Sequence, residues 1–207
     1  FNGREFTTAL MELEDLDVLV PRGGTGLKAA VKAHCKVPYI MTGDGVCHIY
    51  FAPSADPEMC VPIAVNAKCQ KPSACNAVET LLFHEDCAPA LLPAVCTALE
   101  AHGVELRGDK KACELFEMKP ATEDDWGTEY LDLIVSIKVV SSLDEALEHI
   151  ARYGTKHSES IITRDYAEAE RFLDAVDAAA VYVNASARFT DGGVFGLGCE
   201  VGISTQK

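Results

Sequence analysis

The chain has 207 residues, 48% of them apolar and 24% charged, which is the balance of an ordinary globular protein able to bury a core in one large or two small domains. A formal net charge of -14 argues against nucleic acid or an anionic membrane as partner, and no run approaches the roughly 18 apolar residues of a membrane span. Nine cysteines, an odd number with no C-x-x-C pair, point to reduced thiols in a cytoplasmic setting, and six scattered histidines give no metal-binding spacing.

In chain order, Phe6, Ala9, Leu10 and Leu13 recur at helical spacing, and residues 17–20 then read as a short buried strand running into Pro21-Arg22-Gly23-Gly24-Thr25-Gly26-Leu27. Residues 27–34 follow as a helix with Leu27, Ala30 and Val31 on one face. Strands are expected at 37–40 and 47–51, with Thr42-Gly43-Asp44-Gly45 between them. Strand, glycine turn and helix in succession predict an α/β fold with a parallel sheet. The turn at Arg22, Gly23 and Gly24 is either a phosphate-binding helix entrance or a plain βα turn, and it matches neither G-x-G-x-x-G nor a Walker loop.

Residues 55–68 fit a helix with Asp56-Pro57-Glu58 in its first turn. A short polar loop carrying Cys75 comes next, before a strand at 80–83. A loop tip held between two regular elements can present a nucleophile, yet most such cysteines are small buried hydrophobes, and the local pattern leaves both readings open. Helices are expected at 87–102, stopped by Gly103, and at 111–116, followed by an acidic surface loop at 119–127. The remainder alternates strand 131–140, helix 143–153, strand 160–163, helix 166–176 and strand 180–183, and closes in a glycine-rich tail. Glu129 either binds a ligand hydroxyl or is one more solvated acid beside Asp124 and Asp125. Asn184, Arg188 and Asp191 follow the last strand, where they bind substrate or cap structure. His48 and His157 flank strands and read as structural residues.

Two stretches are more specific. Pro72-Ser73-Ala74-Cys75-Asn76-Ala77-Val78-Glu79-Thr80-Leu81-Leu82 and Val183-Asn184-Ala185-Ser186-Ala187-Arg188-Phe189-Thr190-Asp191-Gly192-Gly193 closely resemble the gamma-glutamyl phosphate reductase (glutamate-5-semialdehyde dehydrogenase) family of the aldehyde dehydrogenase superfamily. Gly154-Thr155-Lys156-His157-Ser158-Glu159-Ser160-Ile161-Ile162-Thr163 and Pro21-Arg22-Gly23-Gly24 look like the same family, so the likeness runs along nearly the whole chain. It implies an aldehyde dehydrogenase-like three-layer αβα catalytic domain over residues 45–186. Before it, residues 1–44 would be the back half of a Rossmann-like NADPH-binding domain, and 187–207 a segment returning toward the cofactor and oligomerisation region. It further implies that the chain, beginning at Phe1, is a fragment without the first half of the cofactor domain and its oxyanion asparagine.

The activity implied by the resemblance is NADPH-dependent reduction of L-glutamyl 5-phosphate to L-glutamate 5-semialdehyde and phosphate, in proline biosynthesis. Cys75 would be the nucleophile, forming a thioester; Arg22, Gly23, Gly24 and Glu129 would contact the cofactor, Glu129 at the nicotinamide ribose; Asn76, Arg188 and Thr190 would contact substrate, with no metal. Aldehyde-oxidising relatives carry a glutamate opening an E-L-G-G segment that activates water; the segment here is Met41-Thr42-Gly43-Asp44, and Met41 at the base position suits a thioester that receives hydride. Lys71 and Ala187 stand where arginine and threonine are common, which puts fine substrate contacts in question. The implied partners are copies of the same chain and a glutamate 5-kinase. Two alternatives stay open: a non-catalytic truncated module packed with a partner subunit, and the reductase part of a bifunctional pyrroline-5-carboxylate synthase.

Overall fold

In the computed structural model, which describes residues 3–198 and 202–205, the chain divides into two units, the first taking residues up to 43 together with 202–205 and the second beginning at residue 44. The first unit contains α1 (Arg4–Met11) and α2 (Thr25–His34), whose apolar faces pack Met11 and Val31 together with Met41. The strands expected at 17–20 and 37–40 are reduced to one parallel bridge, Leu19 to Tyr39, with Leu19 N donating to Pro38 O and Ile40 N to Leu19 O. Each run is closed or interrupted by a proline, which has no N–H to extend a ladder, and Val18, Val20 and Ile40 are left exposed.

The second unit is built on seven strands: β1 (Cys47–Phe51), β2 (Val78–His84), β3 (Glu105–Gly108), β4 (Lys119–Pro120), β5 (Ile134–Val140), β6 (Ser158–Ile162) and β7 (Ala180–Val183). All pair in parallel, in the order β4-β3-β5-β2-β1-β6-β7. Period-two alternation sends Ile49, Phe51, Leu81 and Phe83 to one face, under α3 (Pro57–Cys69), α4 (Ala88–Ala101) and α5 (Lys110–Leu115). Tyr50, Ala52, Leu82 and Ile161 go to the other face, under α6 (Leu143–Tyr153) and α7 (Tyr166–Ala175). The central strands β1, β2 and β6 are buried on both faces, as a parallel sheet between two helical layers requires. Asp56, Asp109, Ser142 and Asp165 each accept a hydrogen bond from a first-turn N–H and so start α3, α5, α6 and α7.

Three expectations need correction here. The strand expected from residue 131 starts at Ile134, because Leu131 takes a left-handed φ of 55° that cannot continue a strand. The acidic stretch at 119–127 is not simply a loop: it holds β4 and a 3-10 turn, Glu123–Gly127, closed by a reciprocal Thr122–Asp125 capping box. Strand β3 was not anticipated, since Glu105, Arg107 and Gly108 leave Leu106 as its only apolar side chain.

Candidate active site

The strand order brings four loops side by side at the entry to β5, β2, β1 and β6. The segment before β1 is the hub. Gly45 N donates to Glu129 Oε1, ahead of β5, at 2.7 Å, and Val46 N donates to Thr155 Oγ1, ahead of β6, at 3.0 Å. A Cβ on Gly45 would overlap the Cys75 carbonyl oxygen, so backbone meets backbone directly between the glycine and the loop ahead of β2. The Cys75 and Glu129 loops lie at the amino ends of their strands, as the sequence places them, and the segment that follows the last strand is brought to the same end.

The loop of Cys75 is two successive turns, with Ala74 N donating to Lys71 O at 3.0 Å and Ala77 N to Ala74 O at 2.9 Å. Cys47, beneath it, donates its thiol to the Cys75 carbonyl at 3.4 Å. None of the eight described cysteines is in a disulfide, and their settings differ. Burial pushes the thiols of Cys60 and Cys96 up to about 12 and that of Cys87 up to about 11, and it raises Cys47 well above its ordinary value. Those four are protonated at neutral pH and poor nucleophiles. Cys75 is half-buried, on a loop.

Beside this loop, the chain leaving β7 runs back along the sheet, with Ser160 Oγ donating to Ala185 O at 2.7 Å and Tyr182 Oη meeting Thr190 Oγ1 at 2.5 Å. Asn76 Nδ2 donates to Thr190 O at 2.9 Å, and its Oδ1 accepts from Arg188 Nη1. Arg188 Nε donates to Gln70 Oε1 at 3.1 Å, at the end of α3, and Arg188 Nη2 lies 4.0 Å from Asp191. Cys75, Asn76, Arg188, Thr190 and Glu129 thus belong to one cluster, with Arg188 mostly buried. Lys71 is exposed at the loop's start. Asn184 is elsewhere: its amide both accepts from Thr163 N and donates to Thr163 O, at 2.9 Å each, and so closes the end of β6. Arg22, Gly23 and Gly24 belong to the first unit, where they are exposed and Gly24 caps α2. Met41 is in that unit's core.

Several buried polar pairs escaped the sequence reading. Lys68 Nζ and Glu79 Oε2 meet at 2.6 Å, both fully buried; burial pushes Glu79 up to about 7 against the pull of Lys68, and lowers Lys68. Glu159 accepts from His48 N at 2.7 Å and lies 3.0 Å from His48 Nδ1, and burial raises its pKa despite the histidine. Burial also works against ionised Asp125, but hydrogen bonds from Tyr130, Thr122 and Arg107 hold it well below the usual carboxylate range. Glu79 had a visible signal, a lone acid inside an apolar strand pattern. Gly45 had none, since its partners are 30 and 84 positions away. Among the described residues no group of His, Cys, Asp or Glu could hold a metal, and no helix is long and apolar enough to cross a membrane.

No model of a protein family matches the chain. Over 210 residues, 99% of this chain, it is 56% identical to the gamma-glutamyl phosphate reductase of Caldicellulosiruptor bescii and covers 50% of that protein. The crystal structure of gamma-glutamyl phosphate reductase from Thermotoga maritima superposes with a TM-score of 0.96 at 53% identity, over 99% of this chain and 50% of that one. An acetylating aldehyde dehydrogenase from Geobacillus thermoglucosidasius, at 19% identity and a TM-score of 0.72 over 93% of this chain and 51% of that one, shares the fold. The resemblance read from the motifs therefore holds from end to end, and the α/β sheet is of the aldehyde dehydrogenase type. The chain spans about half the length of the curated relatives it matches.

Proposed function

We propose that this chain is the cysteine-bearing portion of a gamma-glutamyl phosphate reductase, reducing L-glutamyl 5-phosphate to L-glutamate 5-semialdehyde with release of phosphate in proline biosynthesis. The observation that carries the reading is the junction at Gly45, where the Cys75 loop and the Glu129 carboxylate meet at one glycine. In this mechanism the Cys75 thiolate attacks the acyl carbon, the C–O bond to phosphate breaks with its electron pair, and a thioester remains on Cys75. NADPH, when bound, supplies the hydride that reduces the thioester and releases the thiolate. Glu129 suits a ribose, because Gly45 N fixes its carboxylate through Oε1, and a fixed carboxylate is an acceptor for a sugar hydroxyl. Arg22, Gly23 and Gly24, at the entrance to the ten-residue α2, would add contacts to the cofactor's phosphates.

Arg188 is the cation for the substrate's carboxylate or phosphate: its planar fork is fixed from two sides by Gln70 and Asn76. Asn76 then acts through Arg188, and Thr190 closes the same wall through its contacts with Asn76 and Tyr182. Met41 stands where aldehyde-oxidising relatives carry the water-activating glutamate, which suits a thioester that receives hydride. The test is the reverse assay on the full-length polypeptide carrying this chain, with semialdehyde, NADP and phosphate. Cys75→Ser is expected to lower turnover by on the order of a thousandfold or more; normal turnover in that variant overturns the assignment.

A further inference from the structure

The Cys75 loop and the Glu129 loop share a buried anchor that the mechanism leaves unused. Lys68 lies in the last turn of α3 and Glu79 is the second residue of β2, so the pair flanks the nucleophile loop on both sides and closes its base at 2.6 Å. Glu79 stands where the β1–β2 register shifts: Cys47 pairs with Val78 and His48 with Thr80, leaving Glu79 unopposed. A bulge of this kind re-aims a side chain. While Oε2 holds Lys68, Oε1 accepts from Leu131 N at 3.4 Å, two residues beyond Glu129. Leu131 sits at φ 55°, half exposed, in a conformation that costs a leucine free energy unless something outside it holds the backbone there. Tyr130, between the two, has its ring 6.0 Å from the Lys68 ammonium, and its hydroxyl reaches Asp125 at 2.7 Å and Ser136 at 2.9 Å.

Two charges withdrawn from water are no more stabilising than a well-packed apolar pair of the same volume, so stability alone does not account for Lys68 and Glu79. Their placement does. We propose that Lys68 and Glu79 are positioning residues, which hold the 129–131 segment, and with it the Glu129 carboxylate, against the Cys75 loop so that cofactor and nucleophile keep a fixed spacing. This rests on the reading of Glu129 as a cofactor contact.

The experiment uses the full-length polypeptide and three readouts: NADPH dissociation constant, KM for the acyl phosphate, and emission of Trp126, the chain's single tryptophan, three residues before Glu129. Lys68→Met with Glu79→Met removes the tie while filling the space. It is expected to weaken NADPH about five- to tenfold, leave the acyl phosphate KM within about twofold, and shift Trp126 emission. Glu79→Gln keeps an oxygen facing Leu131 N and is expected to stay within about twofold of wild type in all three. Wild-type NADPH affinity in the double variant overturns the proposal. So does a Glu79→Gln variant that loses fivefold or more in NADPH affinity, and this arm decides if the double variant does not fold. Should the wild-type protein not bind NADPH, the reading of Glu129 fails; the anchor is then judged by Trp126 alone, and unchanged emission in the double variant overturns it.

Discussion

The absence of a side chain at Gly45 is what lets two backbones touch in the site. Its N–H is committed to Glu129 at 2.7 Å, so the segment cannot swing away to make room, and a methyl group would overlap the Cys75 carbonyl. Gly45→Ala is therefore expected to push the Cys75 loop outward, lowering kcat at least tenfold while costing about 1–3 kcal/mol of stability, the usual range for overpacking. A melt and a turnover assay on the same preparation check it; wild-type kcat in the alanine variant would show that the loop tolerates displacement. Arg188 poses a different question. Lysine keeps the charge but not the fork that Gln70 and Asn76 orient, so Arg188→Lys is expected to raise the acyl phosphate KM by about tenfold with little change in kcat. An unchanged KM would reduce Arg188 to a brace for the returning segment.

At the scale of elements, legibility followed the length of the pattern and the locality of its signals. α6 and β7 fall where sequence reading put them, α6 because Ser142 caps it and Leu143, Ala146 and Ile150 recur at helical spacing, β7 because three successive β-formers, Val181, Tyr182 and Val183, stand together. Strand β3 is no shorter than β7 but holds Glu105, Arg107 and Gly108 in place of β-formers, and its edge neighbour β4 has only two residues. The family motifs raised Cys75 above the other cysteines. What they could not supply is the set of ties across the sheet, since Gly45 to Glu129 and Arg188 to Asn76 span 84 and 112 positions. Caps are the local signals that can be tested most cheaply. Asp165 Oδ1 accepts from Glu168 N at 3.0 Å at the start of α7, and Asp165→Ala is expected to cost about 1 kcal/mol without affecting turnover. Denaturant melts measure it, and no loss of stability would mean that Thr163 and the sheet alone set where α7 begins.

The whole molecule carries its buried ionisable groups with opposite consequences for pH. His149, on the buried face of α6, lies among the rings of His48, Trp126 and Tyr153, and neither ring nitrogen has a hydrogen-bond partner. Burial, aided by positive charge on His48, Lys138 and Arg152, lowers its pKa to about 3. The folded protein keeps this imidazole neutral while the unfolded chain protonates near 6.5, so the stability it contributes is complete above about pH 6.5 and is lost toward pH 3. Glu79 works the other way. With its folded pKa raised to about 7, the fold binds a proton the unfolded chain has released, so that contribution is complete below about 4.5 and lost as pH rises through 7. Between roughly pH 4.5 and 6.5 these two slopes oppose each other. His149→Phe removes one slope and keeps an aromatic ring among its neighbours. Relative to wild type, the variant should gain about 2 kcal/mol more at pH 5 than at pH 7, since 1.5 pH units of unfolded-state protonation are worth about that much. Denaturant melts at the two pH values decide it: an equal difference at both would mean that His149 gains its proton in the folded protein as easily as in the unfolded chain.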